Sequence, residues 1–344
     1  MKLAIHASVL TLALVAPAVL DLGPHVFAPE LRLRAQSLTY TKGQNVAPAY
    51  EGWEAGANGA KYFVFGYMNR NWEEEIDVPV GPENGFSAGG ERAAGLSADQ
   101  GQPTHFLPRR NRFIFKVRVP IGFSGKDELV WTLTTHDKTE KAYATLRPDY
   151  ILDDVVKASE TGALGAGTSS PEVRANKPPT VTVDEIKTRR VKPGEPLMLG
   201  VEVKDDGIPR RRGLGAGAAV RANGPAGASE RPTSDTAALA NAAMRPPVRI
   251  TVGKNVGLHV TWFLYRGPAG AKVTFDPPQV KPWEDTRAGA NSPWAPLWTP
   301  PPLPPDGKTR AHVTFSEPGT YVLRCRADDG ALVADQEVTI VVTK

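Results

Sequence analysis

Two identical tripeptides, Asp205-Asp206-Gly207 and Asp328-Asp329-Gly330, hold the most suggestive carboxylates of this sequence. Four carboxylates brought to one place would suit calcium, a hard cation that takes oxygen ligands. Asp-Gly is equally the ordinary choice for a tight turn, so a calcium site and a pair of turns are both open readings. Glu73, Glu74 and Glu75 follow Trp72; a glycosidase needs two carboxylates across a cleft, whereas a run of like charge is ordinarily a solvated turn. His105 and His136 are two scattered imidazoles, better suited to hydrogen bonding than to holding a metal. Arg109, Arg110 and Arg112 read as a solvated strand entry rather than a phosphate site. Trp283, Trp294 and Trp298 lie in a segment, 277–305, that holds ten of the 32 prolines. Stiff polyproline-like backbone presents aromatic rings with little entropy to lose. Those rings either cover a sheet edge or form a sugar- or peptide-binding surface.

Several chemistries lack their signatures. There is no His-Glu-x-x-His, no Gly-x-Ser-x-Gly and no phosphate-loop Gly-Lys-Ser/Thr. The only cysteine is Cys325, which excludes a cysteine zinc site, an intramolecular disulfide and lipid attachment through an N-terminal cysteine. Cys325 reads as a small buried core residue. With 41 basic against 37 acidic side chains there is no bulk drive toward nucleic acid.

The elements that must position these residues are strands. In 36–150 the segments 62–68, 76–80, 112–119, 129–135 and 141–146 are short and rich in aromatic or β-branched residues. In 112–119, strict alternation places Phe113, Phe115, Val117 and Val119 on one face and Arg112, Lys116 and Arg118 on the other. Residues 151–179 shift to Gly, Ala, Ser, Thr and Pro and read as a flexible linker. From 180 to 344 alternation returns. Val181 and Val183; Leu197, Leu199, Val201 and Val203; Leu258, Val260, Trp262 and Leu264; a short return at 272–275; Ala311, Val313 and Phe315; Tyr321, Leu323, Cys325 and Ala327; and Val338, Ile340 and Val342 predict seven strands.

The run 318–330 (Pro-Gly-Thr-Tyr-Val-Leu-Arg-Cys-Arg-Ala-Asp-Asp-Gly) followed by 336–342 (Gln-Glu-Val-Thr-Ile-Val-Val) resembles the last two strands of immunoglobulin-like domains of the polycystic-kidney-disease type. That resemblance implies that Tyr321 ties its hydroxyl to nearby backbone and that Trp262 sits in the core. The blocks 48–54 (Pro-Ala-Tyr-Glu-Gly-Trp-Glu), 65–75 and 99–110 resemble uncharacterised exported bacterial two-domain proteins, which brings no activity with it. The expected fold is all-β: two antiparallel, immunoglobulin-like β-sandwich domains joined by a flexible linker. Strand parity then places both Asp-Asp-Gly turns, and the start of the Trp-Pro segment, at one pole of the second sandwich.

Two connections in that sandwich are long: 208–247, with six arginines against Glu230 and Asp235, and 277–305. Loops of such length are functional or disordered, and the composition of 208–247 fits disorder. At the other end of the chain, Lys2 and the apolar run 3–20 have the form of a secretory signal, cleaved near 16–18 or after Ala35. Residues 1–35 are therefore expected to be a signal peptide, with an uncleaved N-terminal anchor as the alternative, and the protein to be secreted, periplasmic or at the cell surface. With 33 Gly and 32 Pro among 344 residues, the composition is that of a turn-rich β protein and excludes collagen, coiled coils and multi-span membrane proteins. The sequence thus implies a non-enzymatic binding or structural module of the cell envelope, needing no cofactor unless calcium, with an extracellular glycan or protein as partner. Self-assembly by sheet-edge pairing into a fibre or surface layer, and a carbohydrate-active enzyme using Glu73, Glu74 or Glu75, are the alternatives.

Overall fold

Strand periodicity and turn chemistry dictate most of what the computed structural model contains. It describes residues 41–56, 59–88, 96–161, 171–184, 189–209, 258–282 and 303–344. The expected signal at 1–35, most of both long connections and Trp283, Trp294 and Trp298 lie outside the described residues. Among those described, no helix is long and apolar enough to cross a membrane.

The N-terminal half is a small sandwich. One sheet is β1 (Val46–Ala55), β2 (Lys61–Asn69) and β6 (Arg109–Arg118), ordered β1-β2-β6; the other is β4 (Asn84–Ala88), β7 (Leu129–Thr135) and β8 (Lys138–Ala144), ordered β4-β7-β8. A two-stranded ribbon, β3 (Ile76–Asp77) with β5 (His105–Phe106), lies beside them. The core is aromatic. Phe65 stacks on Phe115 with centroids 5.4 Å apart, and Phe115 meets Trp131 edge to face at 5.0 Å, geometries that add to simple area burial. The buried Asn84 accepts the Trp131 indole N–H (3.0 Å) and donates to the carbonyls of Val78 and Pro103, so this buried amide and the indole have their polar atoms paired.

Two features depart from strict alternation. The strand β1 carries Pro48 and a bulge at Gly52, whose φ is 140°; proline is tolerated because β1 is an edge strand. In β6 the expected inward set Phe113, Phe115, Val117 and Val119 is broken. A register shift opposite Gly66 and positive φ at Arg109 (58°) and Phe113 (51°) insert a bulge, so Ile114 is buried while Phe113 is half-exposed. A Cβ on Gly66 would stand 2.1 Å from the Glu51 carboxylate and 2.5 Å from the Asn111 carbonyl. Glycine is required there for the bulged strand to approach.

The C-terminal half has an immunoglobulin-like strand order. One sheet runs β13 (Val273–Asp276), β14 (Lys308–Phe315), β11 (Leu197–Lys204), β9 (Thr180–Val183); the other runs β10 (Arg189–Val191), β16 (Val333–Val342), β15 (Gly319–Asp328), β12 (His259–Arg266), with β10 parallel to β16. The strands expected from alternation are all present, and their inward residues form the core around Leu199, Trp262, Phe315, Leu323 and Ile340. The Tyr321 hydroxyl donates to the Glu317 carbonyl at 2.7 Å, the corner the resemblance implies. Cys325 is fully buried, and burial pushes its thiol pKa far up. Between the halves, in the segment read from composition as a linker, the described residues form α1 (Asp154–Thr161) and α2 (Pro171–Ala175). The Leu152 N–H donates to the Trp53 carbonyl (2.8 Å) and Lys157 Nζ to Glu54 (2.6 Å), so this start of the connection is pinned to β1.

The two halves pack together through the outer face of β12 and β15. Inward Trp262, Leu264, Leu323 and Cys325 force Phe263, Tyr265, Arg324 and Arg326 outward, and outward positions of a two-layer sandwich are normally wet. Here Tyr265, Arg324 and Arg326 are 2 %, 4 % and 3 % exposed. Tyr265 packs into the N-terminal core, and its hydroxyl donates to the Gly101 carbonyl. The Arg324 guanidinium lies 3.6 Å from the Tyr265 ring centroid and donates to the Ile114 carbonyl and to Glu337. Arg266 holds Asp99 with two bonds, 2.9 and 2.8 Å, and the Gln102 carbonyl with a third. The Thr104 N–H donates to the Tyr265 carbonyl at 3.2 Å.

A histidine closes the far side of this seam. His105 donates to Asp77 (2.8 Å) and Glu75 (3.1 Å), and the other Asp77 oxygen accepts the Gly270 N–H of the C-terminal half at 2.8 Å. Burial opposes charge on the ring, but the two carboxylates outweigh it and raise its pKa to about 9. A histidine whose pKa rises on folding stabilises the fold fully below its unfolded value near 6.5 and loses that contribution as pH climbs to about 9. Thermal unfolding of wild type and His105→Gln at pH 6 and pH 9.5 should therefore differ by up to ~3 kcal/mol at the lower pH and converge at the higher. An equal difference at both pH values would show that the charge contributes nothing.

Candidate functional site

The two Asp-Asp-Gly turns do share one pole. The β11 and β15 strands end there, and the residue pair joining the connection to β9 straps the turns together: Asn176 Nδ2 donates to Asp329 Oδ2 (3.0 Å), and the Lys177 N–H donates to Asp206 Oδ2 (3.1 Å). The carboxylates are occupied as turn caps. Asp205 accepts the Gly207 N–H (2.9 Å), Asp206 that of Ile208 (2.9 Å), Asp328 that of Gly330 (2.7 Å), and Asp329 those of Ala331 (2.6 Å) and Leu332 (2.7 Å). These are the side-chain-to-backbone bonds that Asp makes in turns. Among the described residues no group of three or more His, Cys, Asp or Glu side chains is placed to hold a metal ion. Burial pushes the Asp329 pKa up to about 7 despite its three donors.

The Trp-Pro segment leaves β13 toward this pole and returns to it. The Val203 N–H donates to the Gly307 carbonyl at 3.0 Å, which sets the start of β14 against the end of β11. On the outgoing side, Gln279 accepts the Trp262 N–H (2.9 Å) and the Val280 carbonyl accepts the Thr261 hydroxyl (2.5 Å), fixing the chain along β12 as far as Pro282.

Pro282 also lines a cleft that the sequence did not announce. A volume of about 1490 Å³ opens between the halves, walled by β1 and β6 on one side and by β15 and β16 on the other, with α1 at one end. Both walls are ladders of paired charge. On the N-terminal wall Arg110 meets Glu51 at 2.7 Å across Gly66, and Glu54 takes both Lys116 (2.5 Å) and Lys157 (2.6 Å). Burial raises the Glu51 pKa, with Arg110 and Arg112 working against it. Burial also opposes charge on Glu54, but its two ammonium partners outweigh it and hold its carboxyl below the usual range. On the C-terminal wall Arg326 grips Asp335 with two bonds of 2.8 and 2.7 Å, and Arg324 pairs with Glu337. The signal for that wall is visible in retrospect: Arg324 and Arg326 register against Glu337 and Asp335 across the β15–β16 pair.

The other chemistry-bearing residues are spread apart. Glu74 accepts the Gly43 N–H (2.6 Å) and pairs with His136 at 3.3 Å, while Glu75 belongs to His105. The two histidines thus engage different carboxylates, and Glu74 and Glu75 of the Glu73–Glu75 run serve ion pairs. Arg109 lies 3.9 Å over the Trp72 ring, and its Nη1 donates to the Arg70 carbonyl (2.9 Å).

No protein-family model matches the sequence, and no curated protein matches it. Among solved structures the chain is similar to a chimeric titin Z1Z2 carrying an exogenous peptide from decorin, at 10 % identity over 88 % of this chain and 99 % of that one, with TM-score 0.21. It is also similar to domains 4–9 of the surface layer protein SbsC, at 8 % identity over 87 % of this chain and 30 % of that one (TM-score 0.21), and to Sidekick-1 immunoglobulin domains 1–5, at 9 % over 86 % and 38 % (TM-score 0.20). The chain spans less than half the length of the latter two. The immunoglobulin-like assignment rests instead on strand order and on the Tyr321 corner.

If the Asp-Asp-Gly turns are caps held by their strap, Asn176→Ala should destabilise the protein by ~2 kcal/mol in chemical denaturation, the cost of a lost buried hydrogen bond. Added calcium should not restore it. Full restoration by calcium would convert the turns into a cation site.

Proposed function

We propose that this protein is an exported, non-enzymatic binding or structural module of the cell envelope, which recognises a glycan or protein partner at the strapped pole of its C-terminal sandwich and in the adjoining cleft. The observation that carries this reading is the convergence of a rigid pole, the start of a Trp-rich segment and a large cleft at Pro282. Binding residues on loops held by a rigid sandwich are a recurrent arrangement, and large concave sites are the usual places for ligands.

The groups with shifted pKa values support binding over catalysis. Catalysis needs such a group with a free functional atom facing substrate. Both His105 ring nitrogens, both Asp329 oxygens and the buried Cys325 thiol are committed to structure, and the raised carboxyls of Glu51 and Asp205 each keep one unbonded oxygen, but it is buried. Self-assembly by sheet-edge pairing is the less supported alternative. Two of the edges, β9 and β13, have four residues each, and short edge strands resist pairing with another chain; the ten-residue edge β1 carries Pro48, which cannot donate to a ladder.

The test uses two of the three tryptophans. Double substitution of Trp294 and Trp298 by Ala should lower retention on immobilised cell-wall glycans and envelope protein fractions by roughly tenfold, the loss expected on truncating aromatic anchors. Retention equal to wild type would overturn recognition at the pole.

A further inference from the structure

We propose that the cleft between the two sandwiches takes an uncharged oligosaccharide in extended form. The inference rests on the binding-module reading and names its ligand class.

The carboxylates of the two long walls are matched, Glu54 by Lys116 and Lys157, Asp335 by Arg326 and Glu337 by Arg324; of the others lining the cleft, Asp154 meets Lys157 at 3.6 Å, Asp328 accepts the Gly330 N–H and Asp153 accepts the Val156 N–H at the start of α1. An anionic or cationic ligand would have to separate one of these partly desolvated pairs, and leaving one partner unpaired is strongly unfavourable. A balanced wall also exerts no long-range pull on a charged ligand. A hydroxyl asks for neither. A carboxylate offers about four lone-pair sites and a guanidinium five N–H donors, so a paired group keeps capacity to accept from one sugar hydroxyl and donate to the next. Arg324, only 4 % exposed and lining the cleft, has an Nε–H with no partner.

Ring and size agree with that chemistry. Trp53 and Phe113 line the cleft and are both half-exposed; Lys61 Nζ lies 4.9 Å over one face of the Trp53 ring, which leaves its other face and Phe113 as apolar surface for the C–H face of a pyranose. Phe113 is held in the left-handed region by the β6 bulge, and bulges of this kind re-aim side chains beside binding sites. At about 1490 Å³ the cleft exceeds the roughly 300–1,000 Å³ of pockets built for compact small molecules, which favours a ligand of several linked units.

The experiment is calorimetric titration of the full chain with cellohexaose, chitohexaose and mannohexaose, and with hexagalacturonate as the anionic control. At least one neutral hexasaccharide should bind with Kd below about 1 mM. Glu54→Gln should weaken it about tenfold and introduce hexagalacturonate binding, because Lys116 and Lys157 lose their counter-charge. Lys116→Ala, at a half-exposed position that spares the fold, should weaken the neutral ligand without gaining the anion. Preference of the wild type for hexagalacturonate, or no neutral binding at about 5 mM, overturns the ligand class. Neutral binding unmoved by Glu54→Gln, Lys116→Ala and Trp53→Ala overturns the cleft as its site. Neither result touches recognition at the pole, which the tryptophan substitutions decide separately.

Discussion

The architecture turns on one buried guanidinium. Arg324 sits on the outer face of a sandwich where water would normally be; the N-terminal half covers it and supplies the Ile114 carbonyl, while the face of Tyr265 and the carboxylate of Glu337 come from its own sandwich. Removing an arginine from water costs several kcal/mol, and a cation over an aromatic face with charge-assisted hydrogen bonds offsets that cost only in a narrow geometry. The orientation of the two halves therefore depends on satisfying Arg324 together with the packing of Tyr265 into the N-terminal core. Arg266 with Asp99 and the His105–Asp77–Gly270 relay lie on the same seam and fix the remaining rotations.

Everything proposed for function follows from that orientation. The cleft exists because the two sheets meet at Ile114 and Arg324 and diverge from there, with α1 pinned to β1 through Glu54 and Lys157. The pole is strapped because the same connection, on reaching the C-terminal half, threads Asn176 and Lys177 past both Asp-Asp-Gly turns before entering β9. A rigid pole beside a rigid cleft is a platform on which loops can bind without a large ordering cost.

The C-terminal sandwich was readable in the sequence because each strand has one buried face and so alternates, and because Tyr321 and Trp262 stand where an immunoglobulin-like core needs them. The N-terminal half was less so. Pro48 and Gly52 disguise β1, and the bulge that turns Phe113 out and Ile114 in lies opposite Gly66, where no local pattern marks it. The hairpin at His136-Asp137 has both residues at positive φ, a turn for which Asn-Gly is the usual signature. The seam and the cleft were not readable at all. Arg324, Arg326 and Asp328 alternate with core residues as a solvated outer face would, and only the packing of the other half shows that they are covered. The Asp-Asp-Gly pole was correctly placed by strand parity, but what its carboxylates bond depended on Asn176 and Lys177, residues from a segment with no pattern of its own.

The central claim is that the two sandwiches form one oriented body held by Arg324. Residual dipolar couplings measured on the full chain in weak alignment test it directly. Couplings from 41–150 and from 180–344 should fit a single alignment tensor in the wild type and require two independent tensors in Arg324→Ala. Two tensors in the wild type, or a single unchanged tensor in the variant, would contradict the account.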